Sequence, residues 1–318
     1  MAIISKDLNT AKHFLETNNV IGIPTETVYG LAANAFNEEV VAKIIKAKNR
    51  PNFDPLIVHT HHIDELKNFT HSIHPKLLQL AKAFWPGPLT LLLPKNNTIP
   101  DIVTSGLDRV GVRIPNHKLT LELLKSLNFP LAAPSANPFG YISPTSAEHV
   151  EKQLGDKIPF ILDGGNCSIG LESTIVGEEN NEIKIYRLGG LSIDEIEKEI
   201  GPVTIELNQS SNPKAPGQLK SHYAPKVPLI VGNIDELVKQ HANKKIGILA
   251  FGKYDSINTK TTIKNLSESE NLNEAAINLF KYLRELDEMP LDIIITSYLP
   301  NKNLGLAIND RLKRAGGI

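Results

Sequence analysis

The nine residues Gly22-Ile23-Pro24-Thr25-Glu26-Thr27-Val28-Tyr29-Gly30 decide how the first part of the chain folds. Their apolar start predicts a strand that ends at the proline, and a hydroxyl-rich loop then runs to the second glycine. Residues 38–48 predict a helix, because valine and isoleucine recur on one face while lysines fall elsewhere. Residues 56–58 predict a second strand, with His59 at its exit. Hydroxyl groups, cations and an imidazole thus lie at the ends of successive elements. Such ends can converge in a crevice of an α/β sheet.

Short motifs continue in this way along the chain, from residue 24 to residue 225. They are Pro24-Thr25-Glu26-Thr27-Val28-Tyr29-Gly30, Lys48-x-Arg50-Pro51, Pro55-Leu56-Ile57-Val58-His59, Val112-Arg113-Ile114-Pro115, Pro134-Ser135-Ala136-Asn137, Ser173-Thr174-Ile175-Val176, Arg187-Leu188-Gly189 and Ser221-His222-Tyr223-Ala224-Pro225. In this order they closely resemble the threonylcarbamoyl-AMP synthase family, whose catalytic domain is the YrdC-like domain. The residues beyond them resemble the extra domain of the longer form of that family.

Chain length and composition set the expected organisation. At 318 residues the chain exceeds the size at which one core usually keeps growing, so two domains are expected. Strands and helices alternate up to residue 207 and again after residue 228. The segment between them is rich in proline and lacks carboxylates. With the resemblance, this predicts an α/β protein: a YrdC-like catalytic domain with a twisted mixed sheet (1–207), a linker or lid (208–228) and a smaller Rossmann-like parallel α/β C-terminal domain (229–318).

The expected location is the cytoplasm. Cys167 is the single cysteine, which excludes an intrachain disulfide framework and fits a reducing compartment. The first eight residues include Lys6 and Asp7 and lack a long apolar run, so no signal peptide is expected. No apolar stretch approaches the roughly 18 residues that a membrane helix needs, so no contact with a membrane is expected.

Charge is distributed unevenly along the chain. The formal net charge is −1, made up of −5 for residues 1–206, +3 for residues 207–228 and +1 for residues 229–318. This balance argues against a globally basic nucleic-acid-binding protein. The cationic segment could help hold an anionic ligand over the first domain, although solvated linker lysines are the commoner case.

Three other motifs have simpler structural explanations. Residues 247–253 match the spacing of a P-loop, but the intervening residues are apolar and predict a strand. His59, His61 and His62 have no partners at the spacing of a common zinc site, so no protein-bound metal is expected. Cys167 has no identifiable base beside it, and a lone cysteine is more often a small buried residue.

The resemblance implies a reaction and a set of site residues. The family joins L-threonine, bicarbonate and ATP into threonylcarbamoyl-AMP and releases pyrophosphate, which makes it a nucleotidyltransferase of tRNA N6-threonylcarbamoyladenosine synthesis. Mg²⁺ would accompany the ATP. A downstream tRNA threonylcarbamoyl-transferase would accept the product, and a weak contact with RNA is conceivable. By resemblance, threonine would be held by Thr27, His59, Arg113, Ala133 and Ser173, and catalysis would involve Lys48 and Arg50. The ATP site would comprise Arg50, Asp54, Arg109, Ser135, Asn137, Ser143, Arg187 and Tyr223.

Several points stay open at this stage. For Lys48 and Arg50, the alternative is solvated charge at the end of a helix. Asp54 and Arg109 depart from the residues common in the family, and an ion pair between them would explain both departures. Two other functions also remain: a non-catalytic RNA-binding or ribosome-associated module, and a carbamoyl-phosphate-dependent adenylating step like that of the related domain in hydrogenase-maturation proteins.

Overall fold

A computed structural model describes residues 1–51, 54–207, 215, 223–255 and 261–317. Of the predicted linker, it therefore describes only Ala215 and residues 223–228. The remainder of the predicted linker or lid, including Ser221 and His222, lies outside the described residues.

The larger unit is built on an eleven-stranded mixed sheet. Its strand order is β1-β8-β2-β3-β7-β4-β6-β5-β9-β10-β11. The strands are β1 Ile3–Ser5, β2 Ile21–Ile23, β3 Gly30–Asn34, β4 Ile57–His59, β5 Leu89–Pro94, β6 Arg109–Arg113, β7 Leu131–Ala132, β8 Phe160–Leu162, β9 Thr174–Glu179, β10 Glu182–Arg187 and β11 Thr204–Ile205. The helices of this unit are α1 Leu8–Glu16, α2 Glu38–Lys48, a 3-10 helix Ile63–Asn68, α3 Pro75–Phe84, α4 Asp101–Thr104, α5 Lys118–Ser126, α6 Ala147–Leu154 and α7 Ile193–Ile200.

The smaller unit has a four-stranded sheet in which all strands are parallel, in the order β12-β15-β13-β14. Its elements are β12 Leu229–Val231, α8 Ile234–Gln240, β13 Ile246–Ala250, β14 Thr261–Asn265, α9 Leu272–Asp287, β15 Ile293–Thr296 and α10 Gly305–Ala315. Strands β13 and β15 are fully buried, as expected for parallel strands covered on both faces by helices. The predicted α/β fold class, a mixed sheet plus a smaller parallel sheet, is confirmed.

Strand pairing in the larger sheet gathers the predicted motifs at one place. Strands β4 and β6 are parallel neighbours, and their register puts His59 opposite Arg113. Strand β9, which Ser173 precedes, runs parallel to β5, and the end of β10 pairs Arg187 with Ile175. Gly30 forms an isolated bridge with Ser135. Segments far apart in sequence therefore meet beside the carboxyl ends of β4 and β6.

The loop that follows Pro24 is predicted to follow a strand, but the structure shows that it also leads directly into a second strand. It is the connection of a hairpin, because Gly30 begins a strand, β3, that pairs antiparallel with β2. No strand is predicted there, because the apolar pattern of the sequence stops before this loop. In the described ranges, every helix is too short or too polar to traverse a lipid bilayer.

Candidate active site

A pocket lies where the motif segments of the larger unit meet. It contains nine of the predicted site residues: Thr27, Arg50, His59, Arg113, Ala133, Ser135, Ser173, Arg187 and Tyr223. The rest of its wall is formed by Thr25, Val28, Gly30, Pro55, Ile57, Pro134 and Glu172. Three of these side chains are guanidinium groups and several others carry hydroxyls, so the pocket suits an anionic ligand.

The hairpin loop is held by its own hydroxyl groups. The Thr25 hydroxyl donates to the Val28 carbonyl at 2.6 Å and accepts from the backbone amides of Thr27 and Val28 at 3.1 and 3.2 Å. A threonine hydroxyl that bonds nearby backbone groups stabilises a turn without a regular hydrogen-bonding ladder. This turn directs the Thr27 side chain into the pocket.

Arg113, at the end of β6, is surrounded by polar partners. Its Nη1 donates to the Thr27 hydroxyl at 2.8 Å, and its Nε donates to the Gly87 carbonyl at 3.2 Å. Its Nη2 lies 2.6 Å from Oε1 of Glu26, and both side chains are buried. Glu26 is absent from the predicted site, although it stands within the motif. The only signal for it in the sequence is a carboxylate inside a hydroxyl-rich loop.

His59 faces Arg113 across the β4–β6 pair and is also buried. Its Nδ1 lies 3.2 Å from the Ile57 carbonyl. Burial lowers the pKa of His59 to about 3, and the nearby Arg113 charge contributes to the shift. The imidazole is therefore neutral at neutral pH and can accept a hydrogen bond from a ligand.

Arg187 and Ser173 form the next part of the wall. Nε and Nη2 of Arg187 donate to the Ser173 carbonyl at 3.0 and 2.9 Å, and Nη2 also donates to the Ser173 hydroxyl at 3.0 Å. The same hydroxyl lies 2.7 Å from the hydroxyl of Thr90 on β5. Arg187 thus ties the end of β10 to the residue that precedes β9.

Arg50 lines the pocket and is paired with Asp54. Nη2 of Arg50 lies 2.8 Å from Oδ2 of Asp54, and it donates to the Pro55 carbonyl at 2.8 Å. Nε of Arg50 donates to the Asp54 carbonyl at 3.0 Å. Asp54 is buried behind Arg50 and, within the described chain, is not part of the pocket wall.

Lys48 is fully buried, which corrects the alternative of a solvated charge at the end of α2. Its Nζ donates to the carbonyls of Ser135 and Asn137, each at 2.5 Å. Burial, followed by the charge of Arg50, holds its pKa well below the usual value. The ammonium group supports the segment that carries Ser135 and, among the described residues, lies behind the pocket wall rather than in it.

Asn137 and Ser143 also lie behind the wall. The Asn137 amide donates to the carbonyls of Pro138 and Tyr141 at 2.9 and 2.8 Å. The Ser143 hydroxyl donates to Oε1 of Glu172 at 2.5 Å. Among the described residues, Ser143 therefore contacts the pocket wall through Glu172, a carboxylate that is absent from the predicted site.

Arg109 is directed away from the pocket. It shares a face of β6 with Arg113, as predicted, but stands at the opposite end of the strand, about 13 Å along it. Its Nη1 donates to the backbone carbonyl of Glu178. The hypothesis of an Asp54–Arg109 ion pair is wrong: among the described residues Asp54 pairs with Arg50, whereas Arg109 donates to Glu178 at the far end of β6.

Tyr223 closes the pocket from the side of the smaller unit. Its ring stacks on Phe280 of α9 with the centroids 5.5 Å apart, and the Arg311 guanidinium of α10 lies 4.9 Å from its centroid. Burial raises the pKa of Tyr223 to about 12, so the phenol stays protonated.

The amide of Ala133 donates to the Ile57 carbonyl at 2.9 Å, which brings Ala133 against β4.

The P-loop-like segment, His62 and Cys167 have structural roles. Residues 246–250 form the buried strand β13, which confirms the strand interpretation of the P-loop-like spacing. His62 caps the 3-10 helix that follows β4. Cys167 is buried, and burial raises the pKa of its thiol, as expected for an unreactive cysteine.

Comparison with known proteins identifies the family. A family model described as telomere recombination matches residues 13–189, and one described as the C-terminal domain of threonylcarbamoyl-AMP synthase matches residues 191–317. The threonylcarbamoyl-AMP synthase of Pyrococcus abyssi is 40% identical over 98% of this chain and 94% of its own length. That of Bacillus subtilis is 39% identical over 96% of this chain and 92% of its own length.

A solved structure agrees with the sequence relatives. The crystal structure of Pyrococcus abyssi Sua5 complexed with L-threonine superposes with a TM-score of 0.93 at 39% identity, covering 99% of this chain and 98% of the other. These findings do not favour the RNA-binding module. The motif order, the mixed sheet with its pocket and the full-length relatives together show that this chain belongs to the threonylcarbamoyl-AMP synthase family.

Proposed function

We propose that this chain condenses L-threonine, bicarbonate and ATP into threonylcarbamoyl-AMP and pyrophosphate. Two steps are needed: the threonine amine takes up bicarbonate to give a carbamate and water, and a carbamate oxygen then attacks the α-phosphorus as pyrophosphate leaves. The observation that carries the proposal is one pocket with two kinds of wall, in a chain that matches its family relatives along almost all its length. One wall suits an amino acid and the other suits a nucleotide.

The amino-acid wall is formed by Thr27, His59, Arg113 and Ser173. A guanidinium is well suited to a carboxylate, so Arg113 is proposed to bind the threonine carboxylate while Glu26 and Thr27 hold it in place. The neutral His59 imidazole can accept a hydrogen bond from the substrate. A neighbouring positive charge and limited water both favour the neutral form of the threonine amine, which is the nucleophile.

The nucleotide wall is formed by Arg50, Ser135, Arg187 and Tyr223. Two guanidinium groups and a hydroxyl can neutralise the triphosphate and fix it in line with the carbamate, which is where most of the rate enhancement of such a transfer arises. Lys48 is proposed to act by holding Ser135 in place. A pocket lined by buried residues also excludes water, to which both the carbamate and the mixed anhydride are sensitive.

Magnesium is proposed to arrive on the phosphates. Within the described ranges, no group of three or more metal-ligating side chains lies together, and the wall carboxylate of Glu172 already binds Arg311 and Ser143. The donors in the pocket are guanidinium and hydroxyl groups, which suit phosphate oxygens. Mg²⁺ commonly keeps several waters and binds through substrate phosphates. When bound, it would neutralise triphosphate charge.

Downstream steps follow from the chemistry of the product. A mixed anhydride is a short-lived acyl donor, so a transferase is proposed to consume it in the cytoplasm, with tRNA as the acceptor that the family resemblance implies. The first domain is acidic, so any direct contact with RNA is expected to be weak.

Pyrophosphate release from ATP tests the proposal, with L-threonine and bicarbonate each omitted in turn. Release is expected only when both are present with Mg²⁺. Release that ignores threonine would show that the substrate is wrong. Folded protein that binds ATP and releases no pyrophosphate would contradict the proposed reaction.

A further inference from the structure

Among the described residues that line the pocket, Glu172 is the one carboxylate, beside three guanidinium groups. It lines the wall near Arg187, and its side chain is only 8% exposed. A buried carboxylate beside a bound triphosphate is unfavourable unless a positive charge compensates it. The compensating charge comes from the other unit of the protein, since Nε of Arg311 lies 2.9 Å from Oε2 of Glu172.

Arg311 contacts two residues of the pocket wall, Glu172 and Tyr223, and the backbone next to a third, Arg187. Besides Glu172, its Nη2 donates to the Leu188 carbonyl, next to Arg187, at 2.8 Å, and its guanidinium lies 4.9 Å from the Tyr223 ring centroid. Its side chain is completely buried. Its Nη1 lies 2.7 Å from Asp310 of its own helix, so all three guanidinium nitrogens are engaged.

Arg311 is the cation by which the smaller unit reaches Glu172, and Phe280 of α9 also reaches the wall by stacking on Tyr223. Among the described residues, every side chain that lines the pocket belongs to positions 25–223, so residues 229–317 act on it from outside. Two further contacts between the units involve residues that do not line the pocket: Lys152 binds Glu288 at 2.8 Å on the surface, and Arg284 donates to the backbone carbonyls of residues 142 and 143.

We propose that Arg311 is a positioning residue for the nucleotide wall, acting by neutralising Glu172 and by holding Tyr223 and the segment after Arg187. The smaller unit thereby completes the ATP subsite without touching the substrate. The proposal rests on the proposed function for the identity of the nucleotide, and it concerns ATP affinity rather than threonine affinity.

Calorimetric binding of ATP with Mg²⁺ and of L-threonine tests this directly and does not depend on turnover. Arg311→Met is expected to weaken ATP binding at least 10-fold and to change threonine binding less than threefold. Arg311→Lys keeps the charge but loses the fork of donors, and should give an intermediate loss. It also keeps the test available if Arg311→Met does not fold.

The charge mechanism predicts a rescue. In Arg311→Met combined with Glu172→Gln, position 172 carries no charge and Asp310 keeps its ion pair with Arg314 at 3.0 Å, so the double variant should bind ATP more tightly than Arg311→Met alone, by at least threefold. Lys152→Met, which removes an ion pair between the units that is distant from the pocket, should leave both affinities within twofold of wild type.

Distinct outcomes separate this proposal from the proposed function. Wild type that binds ATP but releases no pyrophosphate would contradict the function alone. Equal weakening of ATP and threonine binding in folded Arg311→Met and Arg311→Lys, with no rescue by Glu172→Gln, would overturn the positioning role. Wild type that binds no ATP would overturn both.

Discussion

The two sheets of this protein use buried cations in different ways. In the larger unit, Arg50, Arg113 and Arg187 stand at or beyond element ends and border a pocket. In the smaller unit, Arg284 and Arg311 stand on helices α9 and α10 and face the larger unit. A buried guanidinium is costly to desolvate, and both units provide polar partners for it. Burial therefore does not distinguish a substrate-binding arginine from an interface arginine. What distinguishes them is whether the side chain lines the pocket.

The largest effect is expected from Arg113→Met. The change removes the proposed partner of the substrate carboxylate and leaves Glu26 buried without its counter-ion. Truncating one member of a buried charge pair costs about 2–5 kcal/mol, so kcat/KM should fall by about 10³-fold. Pyrophosphate release measures it. Activity within 10-fold of wild type, in folded protein, would contradict the proposed role of Arg113 in binding the substrate.

Arg284→Met tests an arginine of the smaller unit that faces the larger unit. It removes hydrogen bonds to the Ser143 carbonyl and to Gln153, so the free energy of unfolding should fall by about 3 kcal/mol. Activity at a temperature where the variant is folded should stay within threefold, since in the described chain Arg284 does not border the pocket. Urea unfolding and pyrophosphate release measure the two quantities. A large loss of activity in fully folded protein would show that interface and pocket cations are not separable.

The pH dependence of stability should report His59. Its pKa is about 3 when folded and about 6.5 when unfolded, so between these values the unfolded state binds the extra proton. Stability is therefore lost as the pH falls below 6.5. Between pH 7 and pH 5, wild type should lose about 2 kcal/mol more than His59→Asn, which does not titrate. Urea unfolding of both proteins at pH 7 and pH 5 measures the two losses of stability. Equal losses in wild type and His59→Asn would contradict the prediction.

The smallest effect is expected from Arg109→Gln. This arginine shares a strand face with Arg113 but donates to the Glu178 carbonyl, away from the pocket. The KM for ATP should stay within twofold and the unfolding free energy within about 0.5 kcal/mol. A tenfold rise in the KM for ATP would instead support the predicted contact between Arg109 and the nucleotide.

Sequence reasoning succeeds where a residue's position in its element decides its location. His59 and Arg113 end neighbouring strands, and Ser173 precedes another, so their motifs meet once the strands pair. It is less successful for Arg109, because alternation along a strand predicts the face of a side chain and not which end of the strand faces the pocket. Lys48 shows the same limit, since its pattern on α2 gives no sign that the ammonium is buried.

By itself, the sequence determined the family, the alternation of strands and helices and the motifs that form the pocket, because these depend on residue type, local spacing and order along the chain. Tertiary structure alone decided which charges meet. The pairs Glu26–Arg113 and Glu172–Arg311 join residues 87 and 139 positions apart. Such pairs form only when the sheet order and the packing of the two units bring their elements together, since local periodicity carries no information about distant partners.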